Sequence, residues 1–305
     1  AFKQVSLWVD SALAAFYHYH EKVNYLVVIN EKGQQVIAPI DFQNTGIIHN
    51  NLNWGNGLHQ FLQLKHGVPI KPESLLTSFI SNLAFFCLYG KSIYGITGTL
   101  GAEKEQSLLQ NLYNINIGFI PTYKPSQFIL YPGKVLPKGE YIDQIISSIK
   151  EQTARGRATL VICGSIKRTE ELYQLLTDNS YPQHLIVRYS RSDTSEKEVV
   201  EQIVDKGLVI IATNLAGRGT DLKISKEVEK NGGLHVLLTY LPKNQRVQMQ
   251  ALGRSARSGQ PGSGQIIVWD NEIFQQLGIY PKLGFNHLCD FRDQIEEAKL
   301  KHAEL

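Results

Sequence analysis

The chain has 305 residues, 43% hydrophobic and 19% charged, with a formal net charge of +3. That balance is ordinary for a soluble globular chain with a real core, long enough for two domains or one large one. It lacks the clustered basic excess of a nucleic-acid footprint, and the distant cysteines Cys87, Cys163 and Cys289 exclude a disulfide framework and point to a reducing compartment.

In chain order, residues from about 5 to 20 have apolar helical spacing and predict a helix. "VNYLVVINEKGQQVIAPI" reads as a hairpin turning at Gly33, and "NLNWGNGLHQFLQLKHG" as a turn and short helix ending at Gly67. "SLLTSFISNLAFFCLYG" predicts an apolar helix buried on most sides, and "SIYGITGT" a short strand. A helix follows from about Ala102 to Tyr113, with Glu103 and Glu105 at its positive end, then "IGFIPTYKP" as strand and breaker. "YPGKVLPKGE" reads as a linker between lobes.

From Tyr141 strands and helices alternate, which predicts a parallel sheet covered on both faces. The predicted strands are "ATLVICG", "HLIVRYS", "LVIIATN", "GLHVLLTYLP" and "GSGQIIVWD". Helices fall at 141–153, "SIKRTEELYQLLTDN", "SEKEVVEQIVDKG" and near "NQRVQMQALGRSARSG"; Ser195 and Glu198 suit a capping box on the third. The tail, "FRDQIEEAKLKHAEL", is a charged amphipathic helix of mixed sign, a solvated or interdomain element rather than a membrane binder. No run of about 18 apolar residues suggests a transmembrane helix, and the first residues lack the ordered regions of a signal peptide.

Ligands of open α/β sheets sit at the carboxyl ends of strands, and three segments are expected to meet there. "ATNLAGRGTDLKIS" holds Gly217, Arg218, Gly219, Thr220 and Asp221. "QMQALGRSARSGQPGSG" holds Gln250, Gly253, Arg254 and Arg257, and the two arginines, three apart, would point to one side of a helical turn. "GITGT" holds Thr97, Gly98 and Thr99. Guanidinium forks match phosphate oxygens and stay charged at working pH, and glycines let the backbone approach a ligand closely. Gly-Arg-Gly alone is usually a turn, and G-R-x-x-R usually a surface pair. The two in order within one α/β lobe favour a polyphosphate nucleotide.

Those stretches, with "NGGLHVL", resemble the corresponding motifs of the SecA preprotein-translocase motor family, part of the superfamily 2 helicase-like ATPases. "GITGTLGAEKEQSLLQNLYNINIGFIPT" resembles the segment joining that family's two nucleotide-binding domains, and "WGNGLHQFLQLKHGV" the return to its first domain; the resemblance runs from about Val5 to Trp269. It implies a RecA-like parallel-sheet lobe at 126–275, the second nucleotide-binding domain. It places the end of a first lobe with motif III at 61–125, the trailing part of a preprotein cross-linking-like insertion at 1–60, and the start of a helical scaffold-like region at 276–305.

By the resemblance, Arg254 and Arg257 lie in motif VI, with Arg257 favoured as the finger on the γ-phosphate. Arg218 and Asp221 lie in motif V, toward the phosphates and the ribose, with Gly217, Gly219, Thr220 and Gly253 around the nucleotide. Thr97, Gly98 and Thr99 are motif III, and Gln250 links motif VI to the opposite lobe. ATP and Mg²⁺ are the implied cofactors, shared with that lobe. The implied partners are the first nucleotide-binding lobe of the same protein, an unfolded preprotein and a translocation channel. The setting is cytoplasmic, with peripheral attachment to a membrane allowed, and no nucleic acid is expected.

The chain departs from the family pattern at Ala256, usually Gly, and Gln260, usually Asp. "DFQNTGI" keeps Asp41, Phe42, Thr45 and Gly46 of an acidic D-E-F-T-G-R stretch, but Gln43 and Asn44 intervene and Ile47 replaces the arginine. The only P-loop-like match, Gly90-Lys91-Ser92 in "FFCLYGKS", lacks the first glycine and ends an apolar helix, so it reads as a decoy. No Asp-Glu dipeptide occurs; in the family both elements precede the point where this chain starts. The expectation is an ATPase part that is inactive alone. The alternatives are a SecA-derived binding or effector module without motor activity and a superfamily 2 nucleic-acid helicase. No metal-ligand set stands out. His18 and His20 face different ways on a helix, and His59 and His235 read as packed residues.

Overall fold

The computed structural model describes residues 2–21, 23–30, 32–40, 48, 52–72, 80–189, 203–213, 222–278 and 284–303. The amino-terminal part is a small unit of its own. Helix α1 (Phe2–Leu13) runs into a π-helical turn, strands β1 (Tyr25–Ile29) and β2 (Gln35–Pro39) form an antiparallel hairpin, and α2 (Leu58–Lys65) packs beside them. The hairpin turn closes because the Asn30 side-chain oxygen accepts from the backbone amides of Lys32 and Gln34, both at 3.0 Å. Ala15, Tyr25, Ile37, Leu62 and Val68 form its core. Lys65 Nζ donates to the carbonyls of Ala15 and Tyr19, which the ending helical turn leaves without helical partners.

The next stretch differs from expectation. The apolar segment gives only a short helix among the described residues, α3 (Asn82–Cys87), with no buried residue. Neither "SIYGITGT" nor "IGFIPT" forms a strand; Ile96 is 100% exposed, Tyr94 93% and Phe119 88%. The physical reason is shared: a strand exists only when hydrogen-bonded to a neighbour, and an apolar face is buried only when something covers it. Helix α4 (Glu103–Tyr113) forms as expected, with Glu105 accepting from the Ala102 amide.

The rest is a doubly covered α/β lobe. Its described strands are β3 (Gln127–Leu130), β4 (Lys134–Leu136), β5 (Thr159–Cys163), β6 (Ile186–Tyr189), β7 (Val209–Thr213), β8 (Leu234–Leu238) and β9 (Pro261–Trp269). They form a seven-stranded parallel sheet in the order β3-β9-β8-β5-β7-β6, with β4 also on β9. The expected linker is therefore part of this edge. β3 pairs with the first half of β9 and β4 with its end, and Pro132-Gly133 breaks the edge strand between them. Proline is tolerated there because an edge strand can forgo a ladder donor.

Alternation along the central strands feeds two cores. Leu160, Ile162, Ile210, Val236 and Leu238 face one side, covered by α7 (Lys226–Lys230), α8 (Gln245–Leu252), α9 (Asp270–Leu277) and α10 (Phe285–Ala303). Val161, Cys163, Val209, Ile211 and Leu237 face the other, covered by α5 (Lys138–Ala154) and α6 (Ile166–Asp178). Continuous burial along β5 and β8 is what a parallel sheet covered on both faces requires. Of the predicted helix "SEKEVVEQIVDKG", residues 195–202 with the capping residue Ser195 lie outside the described residues, as does "DFQNTGI" with Asp41. The last part of that predicted helix, 203–207, is not helical, because Val204 bridges to Ile224 and the chain turns at Lys206-Gly207 into β7.

Candidate functional site

The sequence that positions the two arginines begins at the start of α8. Asn244 caps the helix by accepting from the Val247 amide at 3.0 Å, and its own amide donates to Glu296 of α10 at 3.2 Å. Arg292 of α10, 2% exposed, donates to Gln248 Oε1 at 2.8 Å and to the Pro242 carbonyl at 3.3 Å. Helix α10 thus grips the first turns of α8. From α4, Lys104 pairs with Glu297 of the same helix.

Helix α8 ends at Gly253, and the backbone reverses through left-handed Ala256 (φ 55°), Ser258 (φ 54°) and Gly259 (φ 77°). The expectation that Arg254 and Arg257 share a helical turn is therefore corrected: a left-handed residue separates them, so helical spacing does not govern their directions. Arg257 is exposed and its Nε donates to the Gly253 carbonyl at 3.2 Å; Arg254 is half-buried. Burial raises the Tyr240 phenol above its ordinary pKa, while the nearby charge of Arg254 acts to lower it.

The location is also corrected. The hairpin lies at the amino-terminal edge of the sheet, not at the carboxyl ends. Ser255 Oγ donates to the carbonyl of Leu234, the first residue of β8, at 2.5 Å. Gln127, the first residue of β3, donates to the Gly259 carbonyl at 2.7 Å. The reason is the direction of α8, which starts beyond the carboxyl end of β8 and runs back along the sheet, carrying whatever follows it to the opposite edge. The carboxyl ends of β5 and β8 carry a different set of contacts. Tyr141 donates to the Thr239 carbonyl at 2.7 Å, and Arg168 pairs with Glu171 and Glu272 and lies 5.3 Å over the Trp269 ring.

Of the other predicted residues, Thr99 meets α8: Gln250 Nε2 donates to Thr99 Oγ1 at 3.0 Å, and the Thr99 amide donates to Thr97 Oγ1 at 3.2 Å. Gly98 is exposed between the two threonines. Gly217, Arg218, Gly219, Thr220 and Asp221 lie outside the described residues. The chain is described again from Leu222, and the Lys223 carbonyl accepts from Val204 just before β7, on the amino side of the sheet. Gly90–Ser92 is a short 3-10 turn after α3, not a strand-to-helix loop.

Sequence reasoning missed Ser255 and Gly262. A serine between two arginines and a glycine opening a strand give no signal until the register brings Leu234 opposite Gly262. The exposed guanidinium of Arg257 at this edge suits an anion such as a polyphosphate. Among the described residues no three His, Cys, Asp or Glu side chains converge as a metal site.

A family model described as the SecA P-loop domain matches residues 136–231. The protein translocase subunit SecA of Campylobacter hominis is 35% identical over 265 residues, covering 87% of this chain and 29% of that protein. The chain is similar to SecA proteins over most of its length. The SecA subunit of Nitratiruptor is 34% identical over 266 residues, again covering 29% of the relative, so the chain spans under a third of the length of these SecA proteins. A match of that extent cannot omit the arginine hairpin, although the SecA P-loop model ends before it. Among solved structures, the Escherichia coli DEAD-box protein SrmB bound to RraA is similar at a TM-score of 0.37 and 19% identity, over 52% of this chain and 84% of that one. No helix among the described residues is long and apolar enough to cross a membrane.

Proposed function

We propose that this chain is part of an ATP-driven protein-translocation motor of the SecA type and supplies the arginine half of an ATP site that a first lobe completes. The observation that carries the reading is the Gln250–Thr99 bond. It joins the helix that ends in the arginine hairpin to the threonine segment 151 residues away in sequence. In this reading Arg257, exposed at the amino edge, faces the γ-phosphate, and Arg254 supports the charge beside it. Gly253 lets the chain turn tightly, since a Cβ there would stand 2.9 Å from the Met249 carbonyl. Arg218 and Asp221, with Gly217, Gly219 and Thr220, belong to the same half-site by sequence.

Bound ATP with Mg²⁺ would supply the transferable phosphoryl group. The residues of this chain stabilise charge on it and exclude water once the lobes close. Thr97, Gly98 and Thr99 transmit that closure through Gln250. The preprotein, the channel and a cytoplasmic setting with peripheral membrane attachment follow from the same reading.

The domain scheme is likewise proposed: 1–60 from an inserted domain, 61–125 from the first lobe, 126–275 the second lobe, and 276–305 the start of a helical scaffold. The shared core of Tyr25, Ile37, Leu62 and Val68 packs across the first of those boundaries. The bare, unpaired stretches around Ile96 and Phe119 are what the scheme expects of residues completing another lobe's sheet.

The test compares ATP turnover by the 305-residue chain and by the complete gene product that contains it. The chain alone is expected to bind ATP weakly and turn over almost none, while the complete protein hydrolyses it. Robust hydrolysis by the chain alone overturns the shared-site reading.

A further inference from the structure

We infer that Ser255 is the positioning residue of the arginine hairpin, setting through its hydroxyl where Arg254 and Arg257 stand; this rests on the nucleotide role proposed for those arginines. Ser255 is 5% exposed, so its hydroxyl is not offered to a ligand. It donates instead to the Leu234 carbonyl, and the Ser255 amide donates to the Leu252 carbonyl at 3.1 Å. One residue is therefore tied both to the end of α8 and to the start of β8.

That strand end is a rigid anchor. Leu234 is 2% exposed and sits in register with Gly262 of β9. Gly233 before it lies so close to β9 that a Cβ would stand 1.8 Å from the Pro261 carbonyl. The hairpin lies directly on this pair of strands. A Cβ on Gly262 would stand 2.0 Å from Ser255 Oγ and 2.6 Å from the Ala256 nitrogen. Arg254 precedes the tied serine by one residue, and Arg257 follows it by two and bonds back to Gly253. Alanine keeps the β-carbon and removes only the hydroxyl, so what serine adds is chiefly the hydrogen bond. Preorganised charge costs no reorganisation when the reaction occurs, which is the use of such a tie at an arginine that acts on a developing charge.

The experiment uses the complete gene product, with ATP as the probe. Ser255→Ala is expected to lower kcat about tenfold, the rate equivalent of one lost buried hydrogen bond, with KM moved less than about twofold. Ser255→Cys, which keeps a weak donor, is expected to recover part of the loss, and it serves in place of Ser255→Ala if that variant fails to fold. In an Arg257→Ala background the Ser255 change is expected to cost less than about twofold, because groups acting as a unit are not additive. A loss of equal size in both backgrounds, or no loss with Arg257 present, overturns the positioning role. If Arg257→Ala by itself leaves hydrolysis unchanged, the finger reading has failed, and hydrogen exchange decides Ser255 separately. Ser255→Ala should then speed amide exchange across residues 253–260 while β8 and β9 stay protected; unchanged exchange there overturns the inference.

Discussion

At the scale of single residues, Ala256 and His235 show how local physics is set by the fold around them. Ala256 holds φ at 55°, where a β-carbon crowds the following carbonyl and costs about 1–2 kcal/mol. Glycine, which the family pattern usually carries there, removes that cost but frees the unfolded chain. Ala256→Gly should therefore raise the thermal midpoint by roughly 1–3 °C, read by calorimetry; a lower midpoint would contradict the left-handed assignment. His235 is fully buried between β5 and β9, its Nδ1 2.8 Å from Ser263 Oγ. Burial first, then the Arg157 charge, lowers its pKa to about 3 from an ordinary value of 6.5. The unfolded chain thus binds a proton that the folded one refuses. Stability from this group is complete above the unfolded value and falls as pH drops from 6.5 toward 3, by up to about 1.4 kcal/mol per pH unit. Denaturation midpoints across that window should flatten in His235→Gln, and an unchanged slope would contradict the buried neutral ring.

At the scale of elements, what could be read from sequence was whatever local pattern decides. The strands β5, β7 and β8 are short continuous apolar runs between turn signals, and the β1–β2 hairpin turns on Asn30 and Gly33, so both were legible. The split edge was not, because Pro132 and Gly133 read as a linker and only pairing to β9 makes their flanks strands. The same limit applied to Ile96 and Phe119, whose apolar pattern predicted strands that have no neighbour here. At the site, residue types were legible but their placement was not. The spacing of Arg254 and Arg257 suggested a helical turn, and the strand rule suggested the carboxyl edge. The left-handed turn at Ala256 and the direction of α8 overrode both. Helix α3 gives a test at this scale. Cys87 is exposed at its end, beside Phe86 at 43% exposure. If α3 belongs to a first lobe, a thiol reagent should label Cys87 quickly in the 305-residue chain and more slowly in the complete protein. Equal rates would argue against that docking. Cys163 should stay unlabelled in both, since burial pushes its thiol up to about 12.

At the scale of the whole molecule, three contacts join the parts that the proposed motor must move together. Gln250 bonds Thr99, Lys104 pairs with Glu297, and Arg292 holds α8 through Gln248. Helix α10 therefore touches both the α8 helix and α4, so a shift of either is felt by the other. In the proposed motor this linked assembly has one purpose, to bring Arg257 to a nucleotide gripped by another lobe. The most direct measurement is steady-state ATP hydrolysis by the complete gene product carrying Arg257→Ala. The expected result is a fall in kcat of at least about 10²-fold, the weak end for losing a phosphate-stabilising group, while the protein stays folded. Hydrolysis at the unsubstituted rate would contradict it.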